Sequence, residues 1–472
     1  EDADPQDVRY NVIQWVHRAT RGWSYGSAVT DPRTGEIIKG HVTLGSQRVR
    51  QDHLIARGLT AGWQDRAAAD EAAMALSLAR IRQLSAHEVG HTLGLDHNFA
   101  ASSNNNASVM DYPHPMISVN GGQIDISKPY DEGIGAWDKY TVAYGYAEFA
   151  PEQEAVALAE LRNEVERKGL RYIGEADSRS AGASNAYASL WDNGVDPVAE
   201  LSRLSAVRAK AIQDFSAAAL LAEQPQGELS DAFVPIYLLT RFQIAAAAKF
   251  IGGTDYTYGD GVDGKSWHYL APALQQQAVQ QIISTLAPSE LAISEPLQEL
   301  LVPKAGNYRN TRESFHPGLR VVADPLGMAE VLSRHALSQI FVAERINRVN
   351  QAYLNDKEQW SVAKITDKVL ARTLFADIPT GSELGVWMRV NAVTLDVLLT
   401  AYHDAKTRPE VKAQLAERLH YTIKQLKRKV KRVSAYESAH FAWLQQGIEK
   451  GLLNPEIKLI TKPLPMPPGS PI

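Results

Sequence analysis

The sequence predicts an α+β protein, a first region that mixes strands with one long helix followed by a mostly helical remainder. Three observations carry this. Short β-favouring runs bounded by turn residues fill 8–44. An Ala-rich stretch with no Pro, and no Gly until Gly90, runs over 67–93. Beyond about Pro151, helix-like apolar spacing recurs almost to the C-terminus.

In chain order, 8–16 is apolar and aromatic enough for a strand. Residues 23–29 form a second, ended by the turn signal Asp31-Pro32-Arg33-Thr34-Gly35. Residues 36–44 read as a third strand closed by Gly45, and 46–56 as a helix. After the long helix, Asn104-Asn105-Asn106, Pro113, Pro115 and Gly121-Gly122 mark irregular chain over 98–129. A short helix is expected around 136–144. Helical spacing then covers 152–168, 197–223, 231–250, 271–285, 325–354, 367–375, 386–404 and 409–447, with a turn-rich interruption at 252–264. The expected organisation is a site-bearing region 1–150, a helical region 151–461 and a Pro-rich tail 462–472.

Composition removes several classes of function. At 472 residues the chain is too long for one ordinary core. Its 44% apolar and 22% charged residues are those of a soluble globular protein. A net charge of −5 offers nucleic acid no overall basic field. No run approaches eighteen apolar residues, so no transmembrane segment is expected. The absence of cysteine excludes disulfides, thiolate ligands and a cysteine nucleophile, and leaves His, Asp, Glu or Tyr to hold any metal. The opening Glu1-Asp2-Ala3-Asp4-Pro5 has neither initiator Met nor an apolar signal core. It reads as processed or cut from something longer, with an upstream segment of the same precursor as a candidate partner.

The informative stretch is His87-Glu88-Val89-Gly90-His91-Thr92-Leu93-Gly94-Leu95-Asp96-His97. His87 and His91 are four apart, so on a helix they point the same way and can grip one ion. Glu88 is offset by one position, beside the metal, where it can take a proton from a water the metal activates. A straight helix would carry His97 off that face. Gly94 permits a positive φ that ends the helix and lets the chain bring His97 back as a third ligand. Three imidazoles with one open position are a catalytic zinc arrangement, because a structural site is closed by a fourth protein ligand. One Zn2+ per chain is expected.

Together with Ser108-Val109-Met110-Asp111-Tyr112-Pro113, this motif resembles the metzincin clan of zinc peptidases, which place a Met-turn beneath the three histidines. Residues 8–146 resemble more closely a largely uncharacterised bacterial Met-zincin-like family. The supporting blocks are 31–37, 80–98, 108–113 and Gly133-Ile134-Gly135-Ala136-Trp137-Asp138-Lys139-Tyr140. The resemblance implies that Met110 floors the imidazoles without ligating. It implies that Tyr112 either ligates zinc at rest or donates to the oxyanion, against a buried structural tyrosine as the plainer reading. It also makes 36–44 the edge strand for an extended polypeptide substrate, with Ile38, Gly40 and Val42 as candidate contacts. Metzincin catalytic domains usually begin with a strand and a backing helix, and this chain is expected to start after them, either because they lie upstream of Glu1 or because this family is built differently. A catalytic region without that first layer would expose apolar sheet. By that resemblance alone, the protein is expected outside the cytoplasm of a bacterium, periplasmic or secreted.

The expected activity is endopeptidase, with Glu88 as general base. Two rivals stand beside it: a zinc hydrolase of another amide or ester, and a non-enzymatic surface or assembly protein that retains the site. Asp96 reads as a turn or outer carboxylate that could orient a histidine, and His114, between two prolines, as loop surface.

Overall fold

A computed structural model of the chain describes residues 4–18, 22–258 and 267–468. Residues 259–264 of the turn-rich stretch and 469–472 of the tail lie outside the described residues. Val12–Val16 (β1), Tyr25–Thr30 (β2) and Ile37–Gly45 (β3) form a sheet in the order β1-β3-β2. β1 is parallel to β3, with Val12 opposite His41, and β2 is antiparallel to it, with Tyr25 opposite Thr43. The β2–β3 connection is the expected turn. The Gly35 N–H donates to the Asp31 carbonyl at 2.9 Å, and Gly35 takes φ +78°, which a Cβ would strain.

The expectation that 36–44 is an edge strand is overturned, because β3 is paired on both sides. Val42 lies between Ile13 and Gly26. Beyond the start of β1 the chain still covers β3, where the Asn11 Oδ1 accepts from the Gly40 N–H at 2.8 Å and Ile38 follows in the β2–β3 hairpin. Sequence reveals strand-like runs but not their lateral order, and the third run enters between the first two. Among the described residues the outer strands of the sheet are β1 and β2.

Gln47–Leu59 (α1) and Arg66–Thr92 (α2) follow. Asp65 caps α2 by accepting from the Ala68 N–H at 3.1 Å. α2 packs across β2 and β3 through two glycines. A Cβ at Gly26 would fall 1.9 Å from the Glu88 carbonyl oxygen, and one at Gly40 would fall 3.0 Å from Thr92 Cβ. Val42, Leu44 and Leu84 form the buried seam between sheet and helix. Ile13 and Trp15 are in register with Val42 and Leu44 yet remain 63% and 48% exposed, since α2 covers chiefly the other two strands.

Ala136–Tyr146 (α3) is the expected short helix, and the chain beyond it is mostly helical. Several expected helices are broken in two. The 231–250 stretch becomes Leu229–Tyr237 and Arg241–Ala248, and 325–354 becomes Pro325–Ile340 and Ala343–Asn355. The 409–447 stretch becomes Pro409–Lys429 and Ala435–Leu453, the latter opened by a Ser434–Glu437 capping box. Both halves of each pair face the same interior, so the apolar spacing persists across the break. One hydrophobic core runs from Ile55 and Leu76 in α1 and α2 to Leu459. The helix Ser382–His403 is long and apolar enough to cross a membrane by length and composition, but 72% of that window is buried in the fold.

Candidate metal centre

The last turns of α2 carry His87 and His91, and the helix then stops in a Schellman motif. The Leu95 N–H donates to the Gly90 carbonyl at 3.1 Å, the Gly94 N–H donates to the His91 carbonyl at 3.1 Å, and Gly94 takes φ +80°. Among the described residues, no atom beyond Gly94 and its chain neighbours lies within 4 Å of a Cβ placed there, so the conformation alone calls for glycine. The reversal returns His97 to the helix. His91 Nε2 lies 3.1 Å from His87 Nε2 and 3.2 Å from His97 Nε2.

The outer nitrogens fix the tautomers. His87 Nδ1 is 2.7 Å from the Val109 carbonyl, His91 Nδ1 is 2.8 Å from the Leu95 carbonyl, and His97 Nδ1 is 2.6 Å from Glu175 Oε2. These oxygens only accept, so each Nδ1 carries the proton and each neutral ring turns a bare Nε2 lone pair inward. Three lone pairs cannot bond one another. Their spacing is that of neighbouring donors around one small cation held at about 2.0–2.1 Å. The donor set therefore fits a metal ion, and imidazole nitrogen is the chemistry zinc accepts.

Met110 is 1% exposed and lies against Gly90, where a Cβ would sit 2.3 Å from its sulfur. That contact explains the glycine inside the motif. The turn also works through its backbone, because the Val109 carbonyl that orients His87 accepts from Gln83 Nε2 as well, at 3.1 Å. Asp138 of α3 secures the turn from below. Its carboxylate accepts from Ser108 Oγ at 2.5 Å, the Val109 N–H at 2.8 Å and the Gly135 N–H at 2.7 Å.

Glu88 is 1% exposed and its Oε1 has no hydrogen-bond partner among the described residues. Burial pushes its carboxyl up to about 7, against the opposing pull of the Gly26 amide and Arg80. Tyr112 is 5% exposed, and its hydroxyl lies 2.9 Å from His97 Nε2, which it can reach only as donor. Burial raises the phenol well above its ordinary range. Its ring packs against Phe99 at 4.9 Å and stacks on Trp191 at 5.5 Å. Trp191 holds φ +59°, an uncommon conformation for a bulky residue.

The structure brings together His87, Glu88, His91, His97, Met110 and Tyr112. It leaves Ile38, Gly40 and Val42 within the sheet. Asp96 is exposed, and the carboxylate on a histidine is Glu175 instead. His114 is half-buried with its Nδ1 3.1 Å from the Pro115 carbonyl, and burial lowers it to about 4. Sequence reasoning missed Gly26, Glu175, Arg179 and Trp191. Only Gly26 left a signal, since a glycine inside a strand marks a close backbone approach.

A mixed sheet, a helix bearing paired histidines, a left-handed exit and a methionine turn beneath three converging imidazoles together make a candidate three-histidine metal site. The chain belongs to the Met-zincin family, whose model matches residues 69–380. That span takes in the motif, the Met-turn and the segment that carries Glu175 and Trp191. No curated protein and no solved structure matches the chain.

Proposed function

We propose that the protein is a zinc-dependent endopeptidase. The observation that carries this reading is the pairing of three inward Nε2 lone pairs with a buried carboxylate on the same stretch of α2, Glu88, that keeps one oxygen unpartnered. When bound, zinc would supply Lewis-acid chemistry, lowering the pKa of the attacking water and polarising the scissile carbonyl. Glu88, held by the Gly26 amide, takes the proton of that water through its free oxygen and delivers it to the leaving amine. Tyr112 offers its hydroxyl to the developing oxyanion. An extended polypeptide can add to the open edge of β2, the strand whose Gly26 lies on the Glu88 turn of α2.

Hydrolysis of another amide or ester would use the same groups, and parallel assays on unfolded proteins and on small amides and esters separate the two. A purely structural zinc site accounts poorly for Glu88. A buried carboxylate with an unsatisfied oxygen is costly, and such a group persists where chemistry uses it. The test is metal analysis with a peptide-library cleavage assay on the wild type and on Glu88→Gln. The expected result is about one zinc in each and a loss of most turnover in the variant. Near wild-type cleavage by Glu88→Gln would remove Glu88 from the mechanism.

A further inference from the structure

We propose that Glu175, held by Arg179, is the positioning residue that makes His97 a metal ligand, so the centre is completed by a segment far outside its motif. The inference rests on the three histidines as a zinc site and not on peptidase activity.

The three ligands are supported unequally. His87 and His91 stand on α2, and each gives its Nδ1 proton to a neutral backbone carbonyl. His97 stands on irregular chain past the helix end, and its ring is free to rotate unless something outside the motif holds it. Its partner is a carboxylate at 2.6 Å, an anionic acceptor. A charge-assisted bond of that kind fixes the tautomer, sets the ring plane and strengthens Nε2 as a donor.

The delivery of Glu175 is built into the backbone. Residues 171–173 run alongside 98–99. The Phe99 N–H donates to the Ile173 carbonyl at 3.0 Å, the Ile173 N–H donates to Asn98 Oδ1 at 3.3 Å, and Asn98 Nδ2 donates to the Arg171 carbonyl at 2.8 Å. Two residues further on, the chain enters a short 3₁₀ turn, Glu175–Asp177, that sets the carboxylate at the ring. Arg179, four residues on, pairs with the second carboxylate oxygen, and its guanidinium carbon lies 5.9 Å from the centre of the Tyr112 ring. One ion pair thus braces both His97 and the tyrosine that touches it. Glu175 is about half exposed and buries no core surface, so a role in folding alone would be small.

The experiment uses the full chain and measures zinc affinity by competition with a chromophoric chelator, beside the thermal midpoint of the metal-free protein. Glu175→Ala should weaken zinc binding roughly 10- to 100-fold, as loss of an outer partner of a ligand does. Its metal-free midpoint should move by no more than about 2 °C. Glu175→Gln keeps an oxygen that accepts from Nδ1 and should recover much of that loss. Arg179→Met should fall between wild type and Glu175→Ala. Zinc binding by Glu175→Ala within about twofold of wild type would overturn the proposal. So would an equal loss in the Ala and Gln variants accompanied by a lowered metal-free midpoint, or a wild-type chain that takes up no zinc. If the affinity series appears as expected while the wild type cleaves no peptide, the peptidase reading fails and this one stands.

Discussion

At the scale of single residues, the site depends on which atoms are already spoken for. Each histidine spends its Nδ1 proton outward, and Glu88 spends one acceptor on the Gly26 amide and keeps Oε1 free. Tyr112 is the residue whose role is decided by a single atom. Its ring is held by Phe99 and Trp191 whether or not the hydroxyl is present, so Tyr112→Phe should preserve packing and cost about 1 kcal/mol or less of stability. If the hydroxyl serves the oxyanion, kcat should fall by roughly 10- to 1,000-fold with little change in KM and unchanged zinc content. Steady-state kinetics and metal analysis of the purified variant check this. An unchanged kcat would make Tyr112 a packing residue. The ligand trio was legible in the sequence because it is local: a four-residue spacing on a helix and a glycine that ends it are stated within eleven residues. Glu175 was not, because it lies 78 residues from His97 and no local period ties the two together.

At the scale of elements, the Met-turn is a hydrogen-bonded scaffold as much as an apolar floor. α3 presents Asp138 to it, 2% exposed, and the Val109 carbonyl passes that order on to His87. Asp138→Ala would leave the Val109 and Gly135 N–H groups and the Ser108 hydroxyl without their acceptor. The expected cost is about 3 kcal/mol of unfolding free energy, read by urea denaturation of the metal-free chain. Zinc affinity should fall with it, since His87 loses a fixed acceptor. Asp138→Asn should be milder, keeping one oxygen to accept. Stability near wild type in Asp138→Ala would show that the turn is held elsewhere. The block 133–140 was visible in the sequence as a family resemblance without a role, and the hydrogen bonds of Asp138 now give it one. Strand order was the other element-level fact hidden from the sequence. Alternation and turn residues locate β1, β2 and β3, but whether the third pairs outside or between the others is a long-range choice. Here it places β2, not β3, at the open edge beside Glu88.

At the scale of the whole molecule, the helical remainder is part of the site's support. Phe99, Ala100 and Tyr112 share a buried cluster with Ile173 and Ala188. Lys249, at the end of Arg241–Ala248, donates to the Ser178 carbonyl at 2.6 Å and to the Ala188 carbonyl, and it faces Asp111 and Asp192 across a buried polar knot. The same burial makes stability depend on pH through histidines remote from the metal centre. His335, on Pro325–Ile340, gives its Nε2 proton to the Arg241 carbonyl at 2.7 Å, and burial lowers it to about 4. Burial likewise lowers His440 to about 4. The folded pKa lies below the unfolded value of about 6.5, so the unfolded chain binds more protons between those values. The contribution of His335 is therefore complete above about pH 6.5 and is lost as pH falls toward 4. The full shift corresponds to about 3 kcal/mol, and because His335 as a residue is only half-buried the expected loss is about 1–2 kcal/mol. Urea unfolding at pH 7 and pH 4.5, in chelator so that metal release adds nothing, should show the metal-free chain weakening over that interval. His335→Gln cannot take up the proton yet can still donate to the Arg241 carbonyl, so its difference between the two pH values should be smaller by about 1–2 kcal/mol. A slope unchanged by the substitution would place the acid sensitivity at other titratable groups.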